Sequence, residues 1–363
     1  MGLGGGAIAP LAPPHQLTTS CGSTATPVGL LDTSCITGSL YNKGGCDARD
    51  HVSYPVTSEA HQGPFSSTYA FLAPVMTEKR HAFLLLVHDN PVQVHRLVGA
   101  LKHPAFDLFI HVDKKANFAD FASLPVRTIE SVYDIRWGGF RMVEATLHLL
   151  RTAVTERYDT YTLLSGSDYP LRSNEQIRRV LDGTNKSRID YWHDEDLSWH
   201  SRYQRLFFND SGPIGRLLNA VSRRLWRVLP PLPFLPGIVP YFGSQWWTLT
   251  REGVEAVLSF VQRNPSFVAR MRWVHIPDEM FFQTVLVQTG VPLMREPLRF
   301  MDWSERKAHP AIVSHENIDQ AFASGCLFAR KVDDRAIPGV SAELERLRHE
   351  REMEYRQDPA LQD

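Results

Sequence analysis

The feature that most constrains this chain is a short unbroken apolar run, Ala82-Phe83-Leu84-Leu85-Leu86-Val87, framed by His81 and His88 and followed by Asp89-Asn90-Pro91. A run this short, with no polar side and a turn signal behind it, fits a β-strand buried on both faces. Helical periodicity follows through Val94, Leu97, Val98 and Leu101. The alternation then repeats. Residues 107–113 and 126–133 are further short apolar runs, and 141–156 reads as a helix carrying Met142, Leu147, Leu149, Leu150 and Val154. Tyr158–Ser165 is another strand, ending at Gly166-Ser167-Asp168-Tyr169-Pro170. Strands that alternate with helices predict an α/β protein whose parallel sheet is covered by helices. Such sheets bind ligands beyond the carboxyl ends of their strands. His88, Asp113, Trp137 and Asp168 all fall at or just after such ends.

The second half is more mixed. A basic, apolar segment begins at residue 212 and runs into a proline-rich loop that ends near 241. A strand at 244–250, a helix at 251–263, a helix from about 278 to 289 and a charged helical tail at 336–363 complete the expectation. Between them, 79–335 reads as one domain.

Composition sharpens this where the chain is uneven. Lys and Arg number 39 against 40 Asp and Glu, so the net charge of −1 disfavours a generic nucleic-acid binder. The first 75 residues hold only six charged side chains but ten of the 23 glycines and three of the four cysteines, Cys21, Cys35 and Cys46. That composition predicts a disordered tail over 1–78, without the basic start and apolar core of a signal peptide. Met76-Thr77-Glu78-Lys79-Arg80 leads directly into the first strand, and Met76 is an expected translation start. Cys326 is the only cysteine beyond it, so the domain cannot form an internal disulfide, which suits a reducing compartment. No apolar window has the length of a membrane-spanning helix.

Several familiar site types are missing: no phosphate-binding GxxxxGK[ST] loop, no GxGxxG after a strand, no GxSxG elbow and no HExxH. Asp194-Glu195-Asp196 has the paired carboxylates that could hold Mg²⁺ or Mn²⁺, but it reads first as an exposed acidic loop. Pro277-Asp278-Glu279 opens an aromatic helix. Its carboxylates suit a helix N-terminus, and Glu279 there could also serve as a general base. Arg330-Lys331 is either a solvated basic pair or a pair of fixed cations for a leaving diphosphate. Trp137-Gly138-Gly139 sets an aromatic face beside two flexible residues, for packing or for stacking on a base or sugar.

Six blocks in order, WGG (137–139), LLSGSDYPLRSNEQ (163–176), FGSQWWTLTRE (242–252), PDEMFFQTVL (277–286), LRFMDW (298–303) and LFARKVD (327–333), strongly resemble the core-2/I-branching glycosyltransferases. They are most similar to the peptide O-xylosyltransferase branch. The resemblance covers about residues 80 to 335. It implies a GT-A fold, a Rossmann-like, mostly parallel sheet flanked by helices that binds a UDP-sugar. It also implies an inverting, metal-independent single displacement onto an acceptor hydroxyl, with no cofactor and no metal ligand. By the same resemblance Val87, His88 and Asp113 would hold uridine, Trp137 would stack on it, and Asp168 would line the donor pocket. Glu279 would be the catalytic base, and Arg330 and Lys331 would bind the diphosphate. Arg306, Lys307 and His309 lie where relatives carry another phosphate-binding cation. Trp199, His200, Ser201, Arg202 and Tyr203, with Gly243, Ser244, Gln245 and Trp246, match acceptor-facing and sugar-facing segments.

Gln245 stands where xylosyltransferase-like members often carry Asp, which leaves xylose and N-acetylglucosamine both open as donors. Animal members carry a membrane anchor, a stem and several disulfides. Without that pattern, the resemblance points to a soluble, bacterial-type relative in the cytoplasm, acting on a glycan, lipid-linked or peptide acceptor and not on nucleic acid. A second reading is an inactive UDP-sugar-binding scaffold in a polysaccharide-assembly complex. Finally, Leu217–Leu229 sets Arg223, Arg224 and Arg227 beside Leu217, Leu218, Leu225 and Trp226. It reads as an ordinary surface helix or as a peripheral contact with the inner face of an anionic membrane.

Overall fold

A computed structural model of the chain describes residues 78–195, 199–296, 298–305, 307 and 309–357. The glycine-rich N-terminal tail with Met76, as well as Asp196 and Arg306, lies outside the described residues.

The first half follows the alternation in the sequence: β1 (His81–Val87), α1 (Pro91–Ala100), β2 (Phe106–Val112), β3 (Thr128–Glu130), α2 (Arg141–Ala153), β4 (Thr160–Ser165), β5 (Asp168–Pro170) and α3 (Asn174–Asp182). The second half adds β6 (Ser187–Ile189), β7 (Trp192–His193), α4 (Ser201–Gln204), α5 (Gly212–Leu225), β8 (Tyr241–Phe242), β9 (Trp247–Thr250), α6 (Arg251–Arg263), α7 (Pro265–Met271), α8 (Phe281–Thr289), β10 (Leu293–Met294), β11 (Arg299–Met301), α9 (Ile318–Ala323), β12 (Phe328–Arg330) and α10 (Val340–Gln357).

Seven strands form the central sheet in the order β10-β6-β9-β4-β1-β2-β3. β1 lies parallel between β2 and β4, and β9 alone runs antiparallel to both its neighbours. The sheet is therefore mixed α/β and mostly parallel, as the sequence alternation predicts. β1 shows why its apolar run is continuous. Ala82, Leu84 and Leu86 enter the core cluster shared with α2, α6 and α8, whereas Phe83, Leu85 and Val87 enter the cluster under α1 and α3. Both faces are covered, so neither can be polar.

Local chemistry fixes the helix starts. Asn90, in a left-handed conformation, caps α1 ahead of Pro91, and Ser173 with Gln176 forms a reciprocal capping box on α3. A second sheet, β11-β12-β5, lies under α9 and α10. The charged tail is part of this unit. Leu344 of α10 is buried, and Arg348 donates to the carbonyls of Arg172 (2.6 Å) and Ala100 (3.0 Å).

Candidate active site

The carboxyl ends of β1, β2 and β4 share one edge of the sheet. Because β9 runs the other way, its beginning lies at that edge too, with Thr162 of β4 opposite Thr248. Trp246 and Gln245 therefore join the β1, β2 and β4 ends without belonging to a parallel strand. Val87 is buried, and its carbonyl accepts the Asp113 amide at 2.8 Å. Asp113 is buried as well and pairs with Lys115 at 3.3 Å, and Lys115 reaches the Ile135 carbonyl two residues before Trp137. His88 is exposed.

Asp168 sits at the centre of a cation cluster. Its side chain is 0% exposed. One oxygen accepts the Arg299 Nε–H at 2.5 Å; the other accepts the Ser165 amide (2.6 Å) and hydroxyl (2.8 Å) and pairs with Arg330 at 3.4 Å. The register explains the last contact, since Arg330 of β12 lies directly opposite Asp168 of β5. Both guanidinium groups stack on the Trp246 ring, Arg330 at 4.2 Å and Arg299 at 5.1 Å. One carboxylate thus organises two arginines. Enclosed in this way, Asp168 holds arginines and presents no exposed wall.

Arg299 is the important residue that the sequence analysis did not single out. Its signal is an arginine embedded in the apolar string Leu298-Arg299-Phe300-Met301, where a solvated charge would be out of place. Lys331 follows Arg330, is half-buried, and makes no ion pair among the described residues. Burial and the adjacent Arg330 charge lower its pKa. Asn90 donates to Asp333 at 2.9 Å and Arg335 bridges Asp89 and Asp333, which closes the β12 exit onto the β1–α1 turn beside His88.

Glu279 occupies different surroundings. The predicted helix from about 278 starts later, at Phe281, and Glu279 lies on a 3₁₀ turn, Pro277–Glu279. Met280 separates them, breaking the helical path at φ −137°, and Ile276 before the turn is left-handed at φ 52°. A left-handed β-branched residue costs about 1–3 kcal/mol and must be held in place by its surroundings. Arg202 does the holding. It donates Nε–H to the His275 carbonyl (3.0 Å), one Nη to the Ile276 carbonyl (2.6 Å) and the other to Glu279 Oε2 (3.1 Å). Trp199 and Phe242 flank its guanidinium at 4.8 and 5.3 Å. Arg202, expected on the acceptor side, is a buried clamp on the carboxylate loop. Tyr203 is also buried, against Phe234 and Phe242. Glu279 itself remains 39% exposed. Next to it, Asp278 is pushed up to about 7 by burial and by the Glu279 charge.

The WGG block joins this loop. Trp137 is 71% exposed and meets His275 edge to face at 5.5 Å. The Gly138 carbonyl accepts Ile276 N–H (3.1 Å) and Asn209 Nδ2 (2.7 Å), and Asn209 also reaches His275 Nδ1 at 3.1 Å. A Cβ at Gly139 would lie 2.1 Å from Asp210 Oδ1, so only glycine admits Asp210, which caps α2 through the Phe140 amide at 2.6 Å. Burial and the Arg202 charge hold His275 down to about 4, so its ring is neutral near pH 7.

Gly243–Trp246 ties the two halves. The Gly243 amide donates to the Glu279 carbonyl at 2.9 Å, and a Cβ on Gly243 would meet the Asp190 carbonyl at 1.8 Å. Gln283 donates to Ser244 O at 2.7 Å, while Gln245 Nε2 is buried without a hydrogen-bond partner among the described residues. From Gly243 to Trp246 is three Cα steps, at most about 11 Å of chain. Of the remaining expected residues, Lys307 pairs with Glu305 at 2.8 Å and the His309 ring lies 3.2 Å from the Pro310 carbonyl, in a segment whose Ala311 carbonyl accepts the Lys331 amide. Asp194 is buried and accepts the Trp199 amide at 2.8 Å. Among the described residues no His, Cys, Asp and Glu group of three or more converges as a metal site.

Sheet, cation cluster and held carboxylate together define an α/β protein of the Core-2/I-Branching enzyme family, whose sequence model matches residues 81–324; the chain belongs to that family. Over 247 residues it is 30% identical to Xylosyltransferase 2 of Canis lupus familiaris and of Homo sapiens, covering 62% of this chain and 27% of each relative. It is 28% identical over 244 residues to Xylosyltransferase 1 of Homo sapiens, covering 62% and 24%. The chain therefore spans about a quarter of the length of these curated relatives.

Proposed function

We propose that the chain is an inverting, UDP-sugar-dependent glycosyltransferase of the GT-A type that moves xylose or N-acetylglucosamine onto an acceptor hydroxyl. The observation that carries this reading is the placement of an accessible, clamped carboxylate, Glu279, and the Arg330-Lys331 cations at opposite ends of the short Gly243–Trp246 segment. In the proposed step, Glu279 accepts the acceptor O–H proton as the acceptor oxygen bonds to the anomeric carbon. The bond from that carbon to the diphosphate oxygen breaks on the far side, and UDP leaves with the electron pair. Arg330, held by Asp168, and Lys331, without an ion-pair partner among the described residues, stabilise that charge, so the proposed step needs no metal. Trp137 offers its face to the uracil, with His88 and Asp113 at the adjoining strand ends.

The relatives' names favour xylose as donor, and Gln245 leaves N-acetylglucosamine beside it. The acceptor is a glycan, peptide or lipid-linked hydroxyl, in polysaccharide or glycoconjugate synthesis at the cytoplasmic side. A UDP-release and transfer screen over UDP-sugars, with and without EDTA, tests the reading. The expected result is slow UDP release from one donor, unchanged by EDTA. Loss of activity in EDTA would overturn the metal-free step, and UDP binding without turnover on any donor or acceptor would favour the scaffold reading.

A further inference from the structure

We infer that α5 and the turn after it form a docking surface for an anionic lipid bilayer. The helix contacts the protein through a narrow, small-residue face. A Cβ on Gly215 would lie 2.1 Å from the Phe208 carbonyl, Ser222 Oγ donates to the Leu206 carbonyl at 3.0 Å, and Asn219 Oδ1 accepts the Phe208 amide at 2.8 Å. Trp226, which the sequence groups with the apolar face, instead packs on Phe207 at 5.0 Å.

The large apolar residues point elsewhere. Ile214, Leu217, Val221 and Leu225 follow the three- and four-residue spacing of one helical stripe, and all are exposed, Leu217 at 66%. Val228, Leu229 and Leu232 extend the exposed apolar surface into the following segment. A stripe that faces the core of its own domain would be buried; this one is turned away from it.

Charge identifies the occupant. Arg216, Arg223, Arg224 and Arg227 are exposed, and residues 211–241 contain no Asp or Glu. Among the described residues none of the four arginines has a carboxylate partner. A helix in the interfacial plane needs an apolar stripe to enter the acyl boundary and a cationic polar face to meet anionic headgroups. A protein partner could cover the stripe, but a polar face with arginines and no carboxylate is complementary to a negative surface. The exposed helix α10 makes the contrast, with acidic and basic residues interleaved and paired at i,i+4, as in Arg346–Glu350.

Short polar links carry α5 to the site. Asn219 Nδ2 donates to Asn209 Oδ1 at 3.0 Å, and Asn209 donates in turn to the Gly138 carbonyl, beside Trp137, and to His275, four residues from Glu279. These links place α5 beside the proposed site, and the docking itself does not depend on the proposed transferase activity.

Full-length protein should co-sediment with vesicles of phosphatidylcholine and phosphatidylglycerol, but weakly with phosphatidylcholine alone or in high salt. Arg223→Glu/Arg224→Glu should lower the binding constant about tenfold or more. Leu217→Asp, at an exposed position, should lower it similarly while leaving the circular dichroism spectrum and melting temperature unchanged. Absence of wild-type sedimentation with anionic vesicles would overturn the proposal, as would equal binding by the variants. A concentration-dependent dimer that Leu217→Asp dissociates, without vesicle binding, would assign the stripe to a second copy instead. UDP release measured on the same variants separates the two readings, because loss of docking leaves hydrolysis of the free donor intact.

Discussion

Asp168 and Glu279 are both carboxylates held by arginine, but their surroundings differ in the number of cations and in access to water. Asp168 is sealed from solvent, faces two guanidinium groups and accepts two further hydrogen bonds, so it is enclosed rather than open to a ligand. Glu279 meets one guanidinium through one oxygen and keeps more than a third of its side chain in solvent. Carboxylate and arginine in contact therefore do not define a role. The number of cations and the access of water decide whether the group is structural or reactive.

The hardest test of this contrast is Glu279→Gln. It removes the proposed proton acceptor while retaining shape and a hydrogen-bond acceptor for Arg202, so kcat should fall about 10²- to 10⁴-fold with UDP affinity unchanged. Unchanged turnover would remove Glu279 from the reaction. Asp168→Asn tests the other side. It leaves two buried arginines without their counter-charge, and urea denaturation should show a loss of about 3–5 kcal/mol with weaker UDP binding. A variant as stable as the parent would show that Ser165 and solvent suffice to hold the cations. Trp137→Ala should touch neither carboxylate, raising the donor KM about tenfold through lost stacking while the unfolding midpoint stays put. An unaltered KM would return Trp137 to the role of surface packing.

The smallest effect is in the pH dependence of stability. His275 and the buried His111, both held down to about 4 by burial as the leading cause, take up protons more readily when unfolded. They add stability as pH rises from about 4 to 6.5, and it is lost as pH falls. Asp278, pushed up to about 7, keeps a proton in the fold that the unfolded chain has released, so it subtracts stability over the same interval. Asp278→Asn should therefore steepen the rise of the urea midpoint between pH 4 and 6.5, and His111→Gln should flatten it. Equal slopes in both variants would break this account of the Glu279 neighbourhood.

These contrasts also show which parts of the molecule the sequence makes legible. β1, β2 and β4 are readable because two-sided burial writes itself as an uninterrupted apolar run. Glu279 and Arg330 could be singled out because charges beside Pro277 and Phe328 are locally conspicuous, but their partners are distant in the chain: Arg202 is 77 residues from Glu279, and Arg299 is 131 from Asp168. No local pattern announces such a pairing. The late start of α8 was equally hidden, since the break falls at Met280, a residue with no local signal against a helix. In the WGG block the paired glycines were visible, whereas the reason for the second, the approach of Asp210, appears only in three dimensions.

The reversed strand β9 has a consequence for how such a protein can diversify. A parallel strand offers its outgoing loop to the ligand edge, but β9 offers its incoming one. Residues 226–240, between α5 and β8, can therefore be lengthened, exchanged or grafted upstream of a fixed Tyr241–Trp246 anchor, while β1, β2 and β4 keep their register. One module can be inherited unchanged while its neighbour is free to drift.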